Sequence, residues 1–170
     1  MKNIEIERKY LIKENNLPNL DNMNYMDITQ GYIHDISNNL LFRLRQVIYM
    51  SHTGEMLGTD YFQTIKGLDG VERPKYEAQI WYSVFSKFWI LCEKNSLHKF
   101  RYLIRRKDSS EFIHLDVYKN ELKGLHTVDV EFHDNESANK YVPEEWFGTE
   151  ITNNPLYANV YLAYKKKISE

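Results

Sequence analysis

Ionisable side chains recur at alternate positions in this sequence, a spacing that places the members of a group on one face of a β-strand. The groups are Glu5, Glu7 and Lys9; Arg43 and Arg45; Thr64 and Lys66; Arg73, Lys75 and Glu77; Lys99 and Arg101; His114 and Asp116; and Asp129 and Glu131. Carboxylates dominate the first and late groups, and cations dominate the middle ones. Carboxylates bind hard divalent cations and clustered cations bind phosphate, so the pattern indicates a metal and a polyanion between the two clusters.

The alternation defines the two faces of each strand but not the directions in which they point. In one interpretation, apolar faces such as Leu40, Phe42 and Leu44 line a packed interior and the charges face water. In the other, the apolar faces pack outward against helices and the charges line a wet tunnel. Opposite charges on a solvated surface are usually interspersed, so their segregation favours the tunnel. Spacing alone leaves both interpretations open.

Short alternating segments bounded by Gly, Asn, Asp or Ser predict eight strands in hairpin order. They span residues 4–12, 28–35, 40–50, 60–67, 71–81, 98–106, 111–119 and 126–133. Helices are predicted over 83–95, from Ser137 to Tyr141 and from Pro155 to Lys165, where they cover a sheet or plug a barrel end. Met50 to Gly58 is expected to be an exposed loop. The pattern favours an antiparallel barrel or sandwich, and an eight-stranded barrel has room for one small ligand.

The composition is that of one ordinary globular domain spanning residues 1–170. A hydrophobic fraction of 42% and an aromatic fraction of 14% argue against disorder, whereas the net charge of -2 says little about partners. The single cysteine, Cys92, excludes an intrachain disulfide and is expected to be a buried thiol. The first residues lack the apolar core of a secretory signal, and no apolar run has the length of a membrane span. We therefore expect a cytoplasmic protein with no membrane partner.

Taken in order, these segments resemble the motifs of the CYTH superfamily, also called triphosphate tunnel metalloenzymes. Residues 5–9 resemble its N-terminal ExExK motif, and the later motifs resemble QGYL, RxR, TxKG, RxExE, KxRY, WExD, ExE and a closing EVT…YxN. In this sequence they are Gln30 to Ile33, Phe42 to Arg45, Thr64 to Gly67, Arg73 to Glu77, Lys99 to Tyr102, Asp116, Asp129 to Glu131, Glu150 to Thr152 and Tyr157 to Asn159. The resemblance spans nearly the whole chain and implies that the charges point inward.

The resemblance implies an α+β, mainly β, fold: an eight-stranded antiparallel closed barrel around a hydrophilic tunnel, with a few covering helices. The cofactor would be Mg²⁺ or Mn²⁺, held by Glu5, Glu7, Asp129 and Glu131. The substrate phosphates would be bound through arginine forks and lysine point charges. The residues that bind them would be Lys9, Arg43, Arg45, Lys66, Arg73, Lys75, Lys99 and Arg101. The catalytic residues would be Lys9, Lys75, Glu77 and Asp116.

Three activities are compatible with the resemblance. The first is metal-dependent hydrolysis of inorganic triphosphate or of another triphosphate-containing substrate. The second is formation of cyclic AMP from ATP, as in class IV adenylate cyclases, where the ribose 3′-hydroxyl replaces water as the nucleophile. The third is binding of nucleotides or polyphosphate without turnover. In each case the partner is a small-molecule triphosphate or nucleoside triphosphate and not a nucleic acid, and the protein is expected to be a monomer or a homodimer.

The sequence departs from the family pattern at three places. Lys75 stands where the middle strand usually carries a glutamate, His114 replaces the glutamate of WExD, and Asp129 is shorter than the usual glutamate. The cation at Lys75 would tighten ground-state binding, which alone does not speed a reaction. We therefore expect Lys75→Glu to weaken ligand binding while preserving or increasing turnover.

Overall fold

A computed structural model describes residues 6–35, 40–67, 75–106 and 111–166. These residues form eight strands: β1 (Ile6–Leu11), β2 (Tyr25–Asp35), β3 (Leu40–Met50), β4 (Met56–Gly67), β5 (Lys75–Gln79), β6 (Ser96–Arg105), β7 (Phe112–Tyr118) and β8 (His126–Phe132). They also form the helices α1 (Tyr82–Cys92), α2 (Asn135–Lys140) and α3 (Asn159–Lys165), with short 3-10 helices over Glu14–Asn16, Glu93–Asn95, Asn120–Leu122 and Pro155–Tyr157. The predicted strands and helices are confirmed within the described residues, with ends that differ by a few residues. Residues 71–74 of the predicted strand 71–81 lie outside the described residues, and the predicted helix from Pro155 to Lys165 is divided at Ala158, whose backbone is extended, into a 3-10 helix and α3.

The strands form one antiparallel sheet in the order β1-β8-β7-β6-β2-β3-β4-β5. β1 and β5 are therefore its edges, and within the described residues no ladder joins them into the closed barrel that was expected. A different segment lies along the free edge of β1. The Leu11 N–H donates to the Thr149 carbonyl and the Ile151 N–H donates to the Lys9 carbonyl, each over 2.8 Å. This pairing occupies backbone N–H and C=O groups on the edge of β1, which a strand closing the barrel would have to bind.

Arg8 fastens this segment to β1. Its Nε and Nη2 donate to the two carboxylate oxygens of Glu150 over 2.9 and 2.6 Å. Thr152 Oγ1 accepts a hydrogen bond from the Lys9 N–H over 3.0 Å and donates to Glu150 Oε1 over 2.6 Å. Because a two-bond arginine fork fixes its partners in one geometry, Arg8 and the 150–152 motif hold the backbone of Lys9 in place.

The apolar strand faces point away from the interior of the sheet and are covered by other elements. On β1, β7 and β8 they pack against α2 and the residues that follow it. On β2, β3 and β4 they pack against α1, whose Phe85 and Cys92 are buried with Leu44. Gly31 is needed for this packing, because a Cβ there would lie 2.7 Å from the Cys92 carbonyl oxygen. Cys92 is therefore the buried thiol that was expected.

The helix α3 closes one end of the inner face of the sheet. Its Leu162 and Ala163 are fully buried, and they belong to one apolar cluster with Tyr32 and Leu97. The prediction that a helix plugs one end is confirmed by this packing. Within the described part of the chain, no helix has both the length and the apolar character required to cross a bilayer.

The turn between β3 and β4 is tighter than predicted. It comprises residues 51–55 and not Met50 to Gly58, because β4 already begins at Met56. The Ser51 N–H donates to the Glu55 carbonyl over 2.8 Å, and Gly54 has a φ of 85°, a conformation that favours glycine. Gly58, the last residue of the predicted loop, is paired with Tyr49 inside the ladder.

Candidate active site

Side chains from all eight strands line one cavity of about 690 Å³ inside the curled sheet. Its ionisable lining consists of Glu7, Lys9, Arg43, Arg45, Lys66, Glu77, Lys99, Arg101, His114, Asp129, Glu131 and His133. The uncharged lining consists of Ile6, Met26, Gln30, Leu103, Phe132 and Asn159. The charged strand faces therefore point inward, the direction that the spacing alone left open.

A basic wall is formed by β3 and held by Glu77 of β5. Arg43 Nη2 donates to Glu77 Oε2 over 2.7 Å and to Thr64 Oγ1 over 3.0 Å. Thr64, which is fully buried, donates in turn to Glu77 Oε2 over 2.7 Å. Arg45 Nη2 lies 3.3 Å from Glu77 Oε1. Glu77 thus orients both guanidinium groups, and it is itself occupied by three donors.

Lys99 and Arg101 form a second basic group of the lining, and both are held by Asp116. This carboxylate is fully buried and accepts hydrogen bonds from Arg101 Nε over 2.7 Å and from Arg101 Nη2 over 2.8 Å. It also accepts a hydrogen bond from Lys99 Nζ, whose side chain is 2% exposed. The predicted catalytic residue Asp116 therefore lies behind the cations and outside the lining of the cavity, where it can orient them.

Lys9 and Asp129 connect β1 to this network. Lys9 Nζ lies 2.9 Å from Asp129 Oδ1, and Arg101 Nη2 lies 3.3 Å from Asp129 Oδ2. Lys9 and Asp129 are register partners in the β1–β8 ladder and both are buried. Asp129 therefore serves as the counter-ion of two cations in this structure.

Burial and neighbouring charges shift the pKa values of these groups. Burial lowers the pKa of Lys99 to about 7 against the attraction of Asp116, and Arg101 adds to the lowering. Burial also lowers the pKa of Arg45 to about 10, and the adjacent Arg43 adds to the effect. For Lys9 burial is the largest single effect and acts downward, but the combined attraction of Asp129, Tyr118 and Asp116 outweighs it and the pKa is raised. The surroundings of Lys99 and Arg45 thus disfavour their positive charge, and a bound anion would favour it.

Glu7 and Glu131 are the carboxylates best placed for a metal. They are register partners on β1 and β8, so their side chains lie directly opposite on the cavity side. Mg²⁺ is usually bound through one or two protein carboxylates, with water and phosphate oxygens completing its shell, and this donor set fits that requirement. Among the described residues no three metal-ligating side chains converge. Glu5, the fourth predicted ligand, lies outside the described residues.

His114 lies between Glu131 and Arg101 in the cavity lining. Its Nδ1 is 3.5 Å from Glu131 Oε1 and 3.4 Å from Arg101 Nη1. Burial lowers the pKa of His114, and the positive charge of Arg101 lowers it further. An imidazole therefore fills the position at which the family pattern has a glutamate.

The structure brings most of the predicted substrate-binding residues together, and the exceptions are Arg73 and Lys75. Lys9, Arg43, Arg45, Lys66, Lys99 and Arg101 all line the cavity. Arg73 lies outside the described residues. The backbone of Lys75 is paired with Lys66 in the β4–β5 ladder, but its side chain is outside the described part of the chain.

The sequence interpretation did not assign a role to two polar residues that line the cavity. Gln30 is 1% exposed and donates from Nε2 to the Tyr32 hydroxyl over 2.8 Å. Asn159 accepts at Oδ1 a hydrogen bond of 2.6 Å from the Tyr118 hydroxyl. Gln30 shares a strand face with Ile28 and Tyr32 and begins the segment that resembles QGYL, which was a usable signal. Asn159 begins a helix, so strand alternation could not reveal it.

The chain is similar over nearly its whole length to proteins of known activity. It is 34% identical over 159 residues to an inorganic triphosphatase of Nitrosomonas europaea, covering 94% of this chain and 96% of that protein. The solved structure of the inorganic triphosphatase NE1496 has a TM-score of 0.66 at 31% identity, covering 95% of both chains. A putative adenylyl cyclase from Hippeastrum, described as having a dominant triphosphatase activity, shares the fold alone at 10% identity. It has a TM-score of 0.55, covering 80% of this chain and 83% of that one.

No known family profile matches the chain. The eight-stranded antiparallel sheet curled around a charged cavity nevertheless has the CYTH-like architecture, although its sheet is not closed within the described residues. Together with the relative at 34% identity, it shows that the chain belongs to the CYTH superfamily. Within that superfamily, the chain is similar to the inorganic triphosphatase of Nitrosomonas europaea.

Proposed function

We propose that this protein hydrolyses inorganic triphosphate to pyrophosphate and orthophosphate with the help of Mg²⁺ or Mn²⁺. The observation that carries the proposal is the distribution of charge in the cavity, where a wall of arginine and lysine faces the opposed carboxylates of Glu7 and Glu131. The similarity to an inorganic triphosphatase supports this activity over cyclase chemistry, since the cyclase-like structure is only 10% identical.

The cations would bind and neutralise the phosphate chain. Arg43, Arg45 and Arg101 present guanidinium groups that match the oxygens of a phosphate in pairs, and Lys66 and Lys99 add point charges. Each well-placed charge-assisted hydrogen bond contributes about 1.5–3 kcal/mol. Phosphoryl transfer depends mainly on positioning and charge stabilisation, so a preorganised basic wall is the chief requirement.

Glu7 and Glu131 would hold the metal ion, and Glu5 and Asp129 remain predicted ligands. A bound divalent cation supplies positive charge to the phosphate oxygens and orients the chain. Glu77 and Asp116 act through other residues, because Glu77 orients Arg43 and Arg45 and Asp116 orients Arg101. We therefore assign both as positioning residues. The reaction would be an in-line attack of water on a terminal phosphorus.

The activity is tested by incubating the purified protein with Mg²⁺ or Mn²⁺ and, separately, inorganic triphosphate, ATP and thiamine triphosphate. Products are resolved by chromatography. Triphosphate should give pyrophosphate and orthophosphate faster than either organic substrate is cleaved. Formation of cyclic AMP from ATP would identify a cyclase instead, and a protein that binds triphosphate without any turnover would be a binder.

A further inference from the structure

The charged cavity adjoins an inner chamber of about 460 Å³ beside α3. The two spaces share the lining residues Glu7, Lys9, Arg43, Lys66 and Asn159. The rest of the inner chamber is lined by Tyr32, Leu41 and residues of the segment 151–160. Because the shared side chains border both spaces, an anion held by Arg43 or Lys66 has access to the inner chamber.

Asn159 has a fixed orientation at the junction of the two spaces. Its Oδ1 accepts a 2.6 Å hydrogen bond from the Tyr118 hydroxyl, and Tyr118 is 1% exposed. The ring of Tyr118 is covered in turn by Lys99, whose Nζ lies 5.5 Å from the ring centroid. A side-chain amide has one acceptor oxygen and an NH₂ group with two donors. With the oxygen engaged by Tyr118, the NH₂ group is the end that Asn159 offers to a ligand.

We propose that Asn159 donates hydrogen bonds to the terminal phosphate of a linear triphosphate, which places that phosphate at the entrance of the inner chamber. The inference rests on the proposed function and extends it by assigning a specificity-determining residue. An amide contributes donors without adding charge to an already basic wall, so it binds phosphate without increasing repulsion among the cations. α3, which carries Asn159 as its first residue, is fixed in place by its buried Leu162 and Ala163, so the amide has a defined position at this end of the charged cavity.

This placement predicts selectivity for chain length. A triphosphate that spans the basic wall reaches Asn159 with its last phosphate. A pyrophosphate, which is shorter by one phosphate, is held by the arginines and lysines of the outer cavity without that contact. Asn159 therefore contributes to triphosphate binding and not to pyrophosphate binding.

The test is calorimetric measurement of Kd for triphosphate and for pyrophosphate in EDTA, where binding is separated from turnover. Asn159→Ala should weaken triphosphate binding about tenfold and leave pyrophosphate binding within about twofold. The matched control is Asn135→Ala, the same change at the first residue of another short helix, α2, on the exposed surface. It should leave both Kd values unchanged.

Tyr118→Phe provides a second variant that keeps Asn159 and removes the hydroxyl that orients it. It should weaken triphosphate binding about threefold, again without changing the Kd of pyrophosphate. Equal losses for both ligands, or a triphosphate Kd within twofold of the wild-type value in Asn159→Ala, would overturn the proposal. So would a wild-type protein that does not bind triphosphate. A protein that binds triphosphate selectively through Asn159 but never cleaves it would contradict the proposed function and leave this subsite standing.

Discussion

Arg101 and Asp116 are joined by two parallel hydrogen bonds, from Nε to Oδ1 over 2.7 Å and from Nη2 to Oδ2 over 2.8 Å. The carboxylate is fully buried, whereas the guanidinium group reaches the cavity. A fork of this kind fixes the plane of the guanidinium group. The orientation in which Arg101 meets a phosphate is therefore set by a residue that does not itself line the cavity.

Asp116→Asn should destabilise the protein by about 3 kcal/mol, because it leaves the buried guanidinium group of Arg101 without its anionic partner and weakens the acceptor of Lys99. Urea denaturation measures the free energy of unfolding. Saturating triphosphate should restore part of the loss, since the ligand supplies negative charge to the same cations. Glu136→Gln, which removes one partner of an exposed pair with Lys140, is the control and should change stability little. If Asp116→Asn lowers the free energy of unfolding by less than about 1 kcal/mol, Asp116 is not the counter-ion of Arg101.

Triphosphate binding should take up a proton at pH 8 through Lys99. Burial lowers the pKa of Lys99 to about 7, from an ordinary value of 10.5, so its amine is mostly neutral in the empty protein at this pH. The bound anion favours the charged form. Calorimetry in two buffers of different ionisation enthalpy measures the number of protons taken up on binding. The uptake measured for Lys99→Met is subtracted from that of the wild type, because triphosphate itself exchanges protons in both experiments. The wild type should take up more protons than the variant, by nearly one.

The same shift fixes the sign of a stability effect in the empty protein. Between pH 7 and 10.5 the unfolded chain binds a proton at Lys99 that the folded chain lacks. Stability contributed by this group therefore rises with pH across that window. Equal proton uptake by the wild type and Lys99→Met at pH 8 would show that Lys99 is already charged in the empty cavity.

Arg45→Ala should weaken triphosphate binding about tenfold or more and slightly raise the melting temperature of the empty protein. The Nε of Arg45 is buried and has no hydrogen-bond partner in the described residues. Burial, and after it the positive charge of neighbouring Arg43, lowers the pKa of Arg45 to about 10. Relief of this repulsion should raise Tm by about 1–2 °C in thermal unfolding. Lys87→Ala, on the exposed side of α1, is the control for loss of one positive charge. An unchanged triphosphate Kd in Arg45→Ala would show that Arg45 does not contact the ligand.

Glu7→Gln should abolish turnover and preserve the fold, because it removes one of the two opposed carboxylates that would hold the metal. Phosphate release is measured against the concentration of Mg²⁺ or Mn²⁺, and circular dichroism checks the fold. Excess EDTA should stop the wild-type reaction in the same way. Glu121→Gln, in the 3-10 helix Asn120–Leu122 and outside the cavity lining, should retain full activity. Undiminished turnover in Glu7→Gln would remove Glu7 from the metal site.

Strand alternation predicted much of the site, because each strand repeats the same face every second residue. Arg43 with Arg45 and Lys99 with Arg101 were identified in this way and line the cavity. The ordered family motifs were needed to predict which strand face points into the cavity. Alternation is a property of one strand at a time, whereas direction depends on which surfaces the helices cover.

Other features depend on contacts between distant segments and could not be read from local patterns. The sheet edge at β1 is paired through backbone hydrogen bonds with residues near Glu150, and the Arg8–Glu150 side-chain hydrogen bonds join residues 142 positions apart. Asp116 was assigned as catalytic because its motif position was known and its burial was not. Asn159 is positioned by Tyr118, which lies on a different element.

Phosphorus NMR of inorganic triphosphate incubated with the wild-type protein and Mg²⁺ or Mn²⁺ in ¹⁸O-labelled water tests the central claim most directly. The account predicts that the triphosphate signals are replaced by equal amounts of pyrophosphate and orthophosphate, with the label in orthophosphate, and that EDTA stops the conversion. Triphosphate that remains intact under these conditions, or that is cleaved equally well in EDTA, would contradict a metal-dependent triphosphatase in this cavity.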